Sequence, residues 1–177
     1  MAPRNRQGLY DPQHERDACG FGMVAQLDDQ PSRLLVDTAI AALSRMTHRG
    51  GVAADGLTGD GCGLLLRRPQ AFLKAIAAEA GISTGPRFAA GVVFLPHDAQ
   101  AAAMCRALLE AELRKAGTQP CGWRVVPTDD SVCGQLARDT LPHIEQIFVD
   151  ADPSQDEATF TLALFLARRR SEQRSEE

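Results

Sequence analysis

The thiol of Cys19 is the group in this sequence best placed to do chemistry. It stands in the run Asp17-Ala18-Cys19-Gly20-Phe21-Gly22, behind a short polar leader and just ahead of an apolar alternation. A cysteine reacts as its thiolate, so it needs a base within reach. If residues 1–18 were removed, Cys19 would carry that base itself. An α-amine with a pKa of about 7.7–8.0 is partly neutral near pH 7.5, whereas a lysine amine at about 10.4 is almost wholly protonated. Gly20 and Gly22 would leave backbone room beside the sulfur for a bound substrate. The other reading of these six residues is a small core cysteine, since free Cys is among the most buried residue types.

The remaining chemistry-bearing residues point to no metal or disulfide framework. Cys19, Cys62, Cys105, Cys121 and Cys133 make an odd count without a CxxC pair, and His14, His48, His97 and His143 are scattered without an HExxH. The glycine-rich loop Thr58-Gly59-Asp60-Gly61-Cys62-Gly63 is not a GxGxxG opening a helix and lacks the Gly-Lys-Ser/Thr of a P-loop. Its glycines read as backbone freedom rather than as a phosphate cradle. Asp55 and Asp60 read as turn-forming residues, with hydrogen bonding to the leader or to Arg49 as the alternative.

Composition bounds the partners. A net charge of −4 and a pI near 5.6 leave no basic excess for nucleic acid or an anionic membrane. Arg168-Arg169-Arg170 is followed by Glu172, Glu176 and Glu177, which reads as a solvated helix end. No apolar run reaches the roughly 18–20 residues of a membrane span, and Met1–Asp17 has no apolar signal core, so the expected compartment is the cytoplasm.

Elements that would position these groups follow from periodicity. Phe21–Leu27 alternates as a half-buried strand that Cys19 would precede, and Cys62–Arg67 reads as a second strand. Ser32 is the expected N-cap of a helix carrying Leu35, Val36, Ala39, Ile40, Leu43 and Met46. Pro69 starts another helix with Phe72, Leu73, Ile76 and Ala80, ended by Gly81. Strands are predicted at Phe88–Leu95, Trp123–Val126 and His143–Val149. A helix from Asp98 to Ala116 and a buried helix around Phe160–Ala167 complete the chain. That alternation by itself suggests an α/β protein with parallel strands in one domain.

The motifs also carry a resemblance. Leu9-Tyr10-Asp11-Pro12, Asp17-Ala18-Cys19-Gly20, His48-Arg49-Gly50-Gly51, Ala54-Asp55 and Thr58–Gly63, in that order, resemble the start of the glutamate synthase large subunit. Gly91–Pro96, Gly122–Pro127, Gln146–Val149 and the Ala167–Arg170 ending extend the likeness over nearly the whole chain. The resemblance implies a class II glutamine amidotransferase of the N-terminal-nucleophile type. Its fold would be α+β, an αββα sandwich of two mainly antiparallel sheets, here incomplete, which overrides the parallel-sheet expectation. Residues 1–18 would be a removable leader and 19–177 the first part of the amidotransferase domain. Cys19 matches the nucleophile that attacks the glutamine side-chain amide and forms a γ-glutamyl thioester. Arg49, in a His-Arg-Gly segment that lies near the nucleophile in such enzymes, would stabilise the thiolate or order the site, or else simply tie down a glycine loop.

Glutamine, the remainder of the large subunit and a small flavoprotein subunit are the implied partners. FMN and an iron–sulfur cluster are implied for a complete large subunit, and no cofactor for these 177 residues. The family's arginine segment that grips glutamine and its Asn-Gly oxyanion motif do not occur here, where Asn5 is the one asparagine. The expectation is therefore an amidotransferase portion that is inactive alone. The alternative is a non-catalytic interaction or regulatory module derived from the same domain.

Overall fold

β-Branched and aromatic residues concentrate in three runs, and these three pair into the sheet. In the computed structural model, which describes residues 20–46, 50–59 and 61–175, the strands are β1 (Phe88–Leu95), β2 (Thr118–Val125) and β3 (His143–Ala151). The helices are α1 (Arg33–Ser44), α2 (Gln70–Glu79), α3 (Ala99–Lys115), α4 (Gln135–Asp139) and α5 (Glu157–Ser175). The chain divides into two units. One runs to Leu65 and takes in Cys133–Leu136; the other holds Leu66–Val132 and the residues from Ala137 onward.

The second unit contains the sheet, in the order β1-β3-β2. β3 is antiparallel to both neighbours, with Phe88 opposite Asp150 and Leu95 opposite His143 on one side, and Thr118 opposite Ala151 and Val125 opposite Glu145 on the other. β1 and β2 are consequently parallel to each other and joined through α3, with β3 inserted between them, which is a split βαβ arrangement. Side chains alternate between faces with period two. Ala89, Val93, Trp123, Ile147 and Val149 pack against Leu109 and Leu113 of α3 and Phe160, Leu164 and Ala167 of α5. Phe88, Ala90 and Phe148 turn the other way, against Leu73, Ile76 and Ala77 of α2 and the following Ile82. Phe88, Phe148 and Phe160 are fully buried, each a gain of about 1.5–3 kcal/mol over an exposed side chain.

Helix ends follow their caps. Asp98 Oδ1 accepts a hydrogen bond from the Ala101 amide at 2.7 Å, and Gly117, at φ 77°, ends α3 in the left-handed conformation that favours glycine. Gly81 does the same after α2 at φ 73°. Ser32 occupies the N-cap of α1 but makes no side-chain cap hydrogen bond.

Charges tie α5 back to α3. Glu112 is 3% exposed, and its Oε1 accepts from Lys115 Nζ at 2.7 Å and from Arg174 Nη1 at 2.6 Å. At the other end of α5, Glu157 pairs with Arg68 at 3.7 Å and Arg87 at 3.6 Å.

Several expectations change. Every strand pairing among the described residues is antiparallel, so the α+β class holds and the parallel sheet does not. Phe21–Leu27 and Cys62–Arg67 form no strand ladder among the described residues, and Phe21, Met23, Leu27 and Leu65 are exposed. Alternation marks a chain that suits a pleated, half-buried surface, but a strand exists only through a paired neighbour. β2 starts five residues earlier than Trp123, and α5 is longer at both ends than Phe160–Ala167. No helix among the described residues is long and apolar enough to cross a membrane.

The Glu112 contacts generate a pH prediction. Hydrogen bonds from Lys115 and Arg174 outweigh burial and pull its carboxyl below the ordinary 4.5. A depressed folded-state pKa contributes stability that is present above the unfolded value and lost as pH falls through the folded one. Urea unfolding from about pH 5 down to about pH 3 should therefore show a smaller loss of stability for Glu112→Gln than for the unsubstituted chain. Parallel curves for the two proteins would assign acid sensitivity to other carboxylates.

Candidate active site

Cys19 and Arg49, with His48 and Asp60, lie outside the described residues. The described backbone resumes at Gly20, Gly50 and Gly61. Past Cys19, residues 20–26 form neither helix nor strand, and the space where a Cβ of Gly22 would stand is open. Space is likewise open at Gly61, whose φ of 82° is left-handed, and at Gly63.

The loop that follows Arg49 is closed by a bridge between Val52 and Gly59, and the Ala53 amide donates to the Thr58 carbonyl at 2.8 Å. Asp55 holds the turn. Its Oδ1 accepts from the amides of Leu57 at 3.1 Å and Thr58 at 2.8 Å, while Oδ2 accepts from the Thr58 hydroxyl at 2.5 Å. The Thr58 hydroxyl, the backbone amides of Thr58 and Leu57, and that of Leu136 lower the Asp55 carboxyl to about 2. A carboxylate so fully engaged is ionised at neutral pH and serves the turn, not proton transfer.

Sequence reading missed the second half of this anchor. The segment Cys133–Leu136 belongs to the same unit as the loop, and Gly134 sits so close to it that an added Cβ would collide with the Asp55 carboxylate, the Thr58 hydroxyl and the Thr58 backbone nitrogen. Nothing in the sequence signals this. Gly134 is a glycine for lack of space, not for a positive φ, and its neighbour lies more than 70 positions away.

The described thiols differ in how freely they ionise. Burial, reinforced by the nearby Asp150 carboxylate, pushes the Cys121 thiol up to about 11, so it is protonated at neutral pH and a poor nucleophile. Cys62 is exposed, and Cys105 and Cys133 are half-buried. No group of three or more His, Cys, Asp or Glu among the described residues is arranged to hold a metal ion. His97 Nε2 lies 2.5 Å from the Leu141 carbonyl oxygen and His143 Nε2 lies 3.0 Å from Glu145 Oε1, so both rings are engaged in structural contacts.

Residues 19–177 match the family model of class-II glutamine amidotransferases. The chain belongs to that family. It is 41% identical over 167 residues to the glutamate synthase [NADPH] large chain of Azospirillum brasilense, covering 92% of this chain and 11% of that protein. Ferredoxin-dependent glutamate synthase 1 of Arabidopsis thaliana is 36% identical over 163 residues, with 91% and 10% covered. The glutamate synthase [NADPH] large chain of Bacillus subtilis is 31% identical over 167 residues, with 94% and 11% covered. The chain thus spans about a tenth of the length of these relatives. In this amidotransferase chain the family match begins at Cys19 itself.

Two substitutions test the loop anchor. Gly134→Ala should displace the Leu57 and Thr58 amide resonances and cost about 1–3 kcal/mol, the usual range for overpacking, whereas Gly63→Ala in open space should leave both unchanged. Thr58→Ala removes the largest contribution to the low Asp55 pKa, so carboxyl-carbon NMR should find Asp55 titrating well above 2 in that variant. An unmoved titration would assign the shift to the backbone amides alone.

Proposed function

We propose that this chain contributes the glutamine-hydrolysing chemistry of a glutamate synthase, with Cys19 as nucleophile once residues 1–18 have been removed. The observation that carries the reading is the start of the family match at Cys19, the residue for which the sequence offers a self-supplied base. The α-amine takes the thiol proton, and the sulfur adds to the side-chain amide carbon of glutamine. The tetrahedral adduct collapses by breaking the C–N bond, and the same amine returns the proton to the departing ammonia. Water then attacks the γ-glutamyl thioester, releasing glutamate and restoring the thiol. The open space at Gly22 supports access of the amide to the sulfur, and the guanidinium of Arg49 is proposed to favour the thiolate or to order the loop.

Glutamine is the proposed substrate, and the rest of a large chain, with a small flavoprotein subunit, the proposed partners. In that setting the complete domain is an αββα sandwich. FMN and an iron–sulfur cluster belong to the complete large subunit in this reading, and the described residues do not fit the cluster. The four described thiols are Cys62, Cys105, Cys121 and Cys133, and no three such ligands are grouped. No step of glutamine hydrolysis runs through either group.

Processing and labelling test the nucleophile. The active protein should begin at Cys19 by N-terminal sequencing and intact mass. A diazo-ketone analogue of glutamine should label Cys19 in preference to Cys62, Cys105, Cys121 and Cys133. A glutaminase-active chain still starting at Met1 or Ala2, or label spread evenly over all five thiols, would sink the proposal.

The 177 residues by themselves should show no measurable glutaminase activity. They contain neither the Asn-Gly pair nor the arginine segment that would supply oxyanion donors and a carboxylate grip, and one missing oxyanion donor costs about 10²–10³ in rate. A turnover of order 1 s⁻¹ or more from this chain would show that residues read here as structural provide those groups.

A further inference from the structure

Among the described residues the sheet has two open edges, and only one is defended against pairing. β2 carries Pro120, which has no amide to donate, and a bulge between Pro120 and Gly122 that breaks the regular ladder. β1, Phe-Ala-Ala-Gly-Val-Val-Phe-Leu, has no proline, no charge and no irregularity over its eight residues. The Ala151 amide donates to the Arg87 carbonyl, so the ladder bonds of β1 to β3 fall on alternate residues from 87. The amide and carbonyl groups of Phe88, Ala90, Val92 and Phe94 therefore point away from β3. Arg68 takes the Phe88 carbonyl at 3.2 Å; Ala90, Val92 and Phe94 have no backbone partner on that side among the described residues. Val92 and Phe94 are also 54% and 67% exposed. Natural proteins rarely leave a long, uncharged, apolar edge uncovered.

We propose that the outer edge of β1 is the docking site for a fourth, antiparallel strand, supplied by the polypeptide that follows α5 in a longer protein. Handedness selects this edge. α3 and α5 pack on the same face of the sheet, and β1–α3–β2 is a crossover between parallel strands, a connection that is right-handed in about 98% of cases. β3 runs opposite to β1. A right-handed crossover from β3 through a helix on that same face must therefore move the opposite way across the sheet, past β1 to its far side. The next strand then lies parallel to β3 and antiparallel to β1, giving the four-stranded order of the ferredoxin-like split βαβ fold. The curated relatives provide the length for it, since this chain covers 11% of the Azospirillum protein and 10% of the Arabidopsis protein.

The strand this edge accepts has apolar residues at alternate positions. One set would lie beside Val92 and Phe94, and the other would turn toward the helical layer, where Leu162, Phe165 and Leu166 of α5 are also exposed at one-turn spacing. The inference is independent of the chemistry at Cys19.

Amide hydrogen exchange tests it. In the 177-residue chain, after correction for intrinsic rates, Ala90, Val92 and Phe94 should exchange at least about tenfold faster than Ala89, Gly91 and Val93, which bond to β3. In a polypeptide that continues past α5, exchange of the three outward amides should slow by at least about tenfold. Unchanged exchange across residues 88–95 in the longer polypeptide would overturn the proposal. Slow exchange at the three outward amides in the 177-residue chain itself would also overturn it. That result would assign the edge to a second copy if the chain sediments as a dimer, and to another part of the same chain if it sediments as a monomer.

Discussion

Everything in the sheet-bearing unit hangs on β3, because it alone among the described strands has a neighbour on each side. Its residues Glu145–Val149 are buried without interruption, where an edge strand would alternate. Ile147 and Val149 face α3 and α5 while Phe148 faces α2, so one strand nucleates both apolar clusters. A slip of one residue in its register would exchange these sets and turn the α3-facing side chains toward α2. Two buried polar residues accompany this central position, and each has its partner. Glu145 accepts from Arg106 at 2.8 Å, and Gln146 accepts from Arg124 at 2.9 Å. A buried carboxylate or amide without such a donor would cost about 1–3 kcal/mol, so the arginines are part of what allows β3 to sit where it does.

The sequence made the local parts of this arrangement readable and hid the non-local ones. β1 and α3 were legible because a run of apolar or alanine-rich residues is bounded by groups with one structural use, Asp98 at the N-cap and Gly117 beyond the C-terminus. The alternation of strands and helices suggested a parallel sheet, and it could not tell that β3 would insert between β1 and β2 and make every described pairing antiparallel. Phe21–Leu27 and Cys62–Arg67 failed as strands for the same reason, since periodicity reports the chain's suitability for a sheet and says nothing of a partner. Of the site, Cys19 stood out by its residue type, its flanking glycines and the motif resemblance, Arg49 by the resemblance, and both fall outside the described residues. Gly134 was invisible because its reason for being glycine is a turn far away in sequence.

Environment, more than residue type, separates the thiols. Cys121 lies on the sheet with Asp150 nearby, and low polarity together with a negative neighbour opposes the thiolate. The same two influences would disable any nucleophile. Cys19 is followed in sequence by Gly20 and by Phe21, which is 94% exposed. Desolvation therefore argues against Cys121 as a reactive thiol. The base proposed for Cys19 is its own α-amine, which needs no histidine, and the two described histidines are engaged with Leu141 and Glu145.

Glycine plays two opposite parts in the described loops. At Gly22, Gly61 and Gly63 the missing Cβ leaves open space. At Gly134 the missing Cβ is already filled by the Asp55 turn, so the absence of a side chain is a means of contact. The Asp55 carboxylate then spends its lone pairs on Thr58, Leu57 and Leu136 and has little capacity left for a reacting group. A loop fixed in this way can position its neighbours with little motion but cannot itself transfer a proton. In the proposed mechanism the Gly50–Gly59 loop is therefore a fixed support, and acid–base work falls to the amine of Cys19.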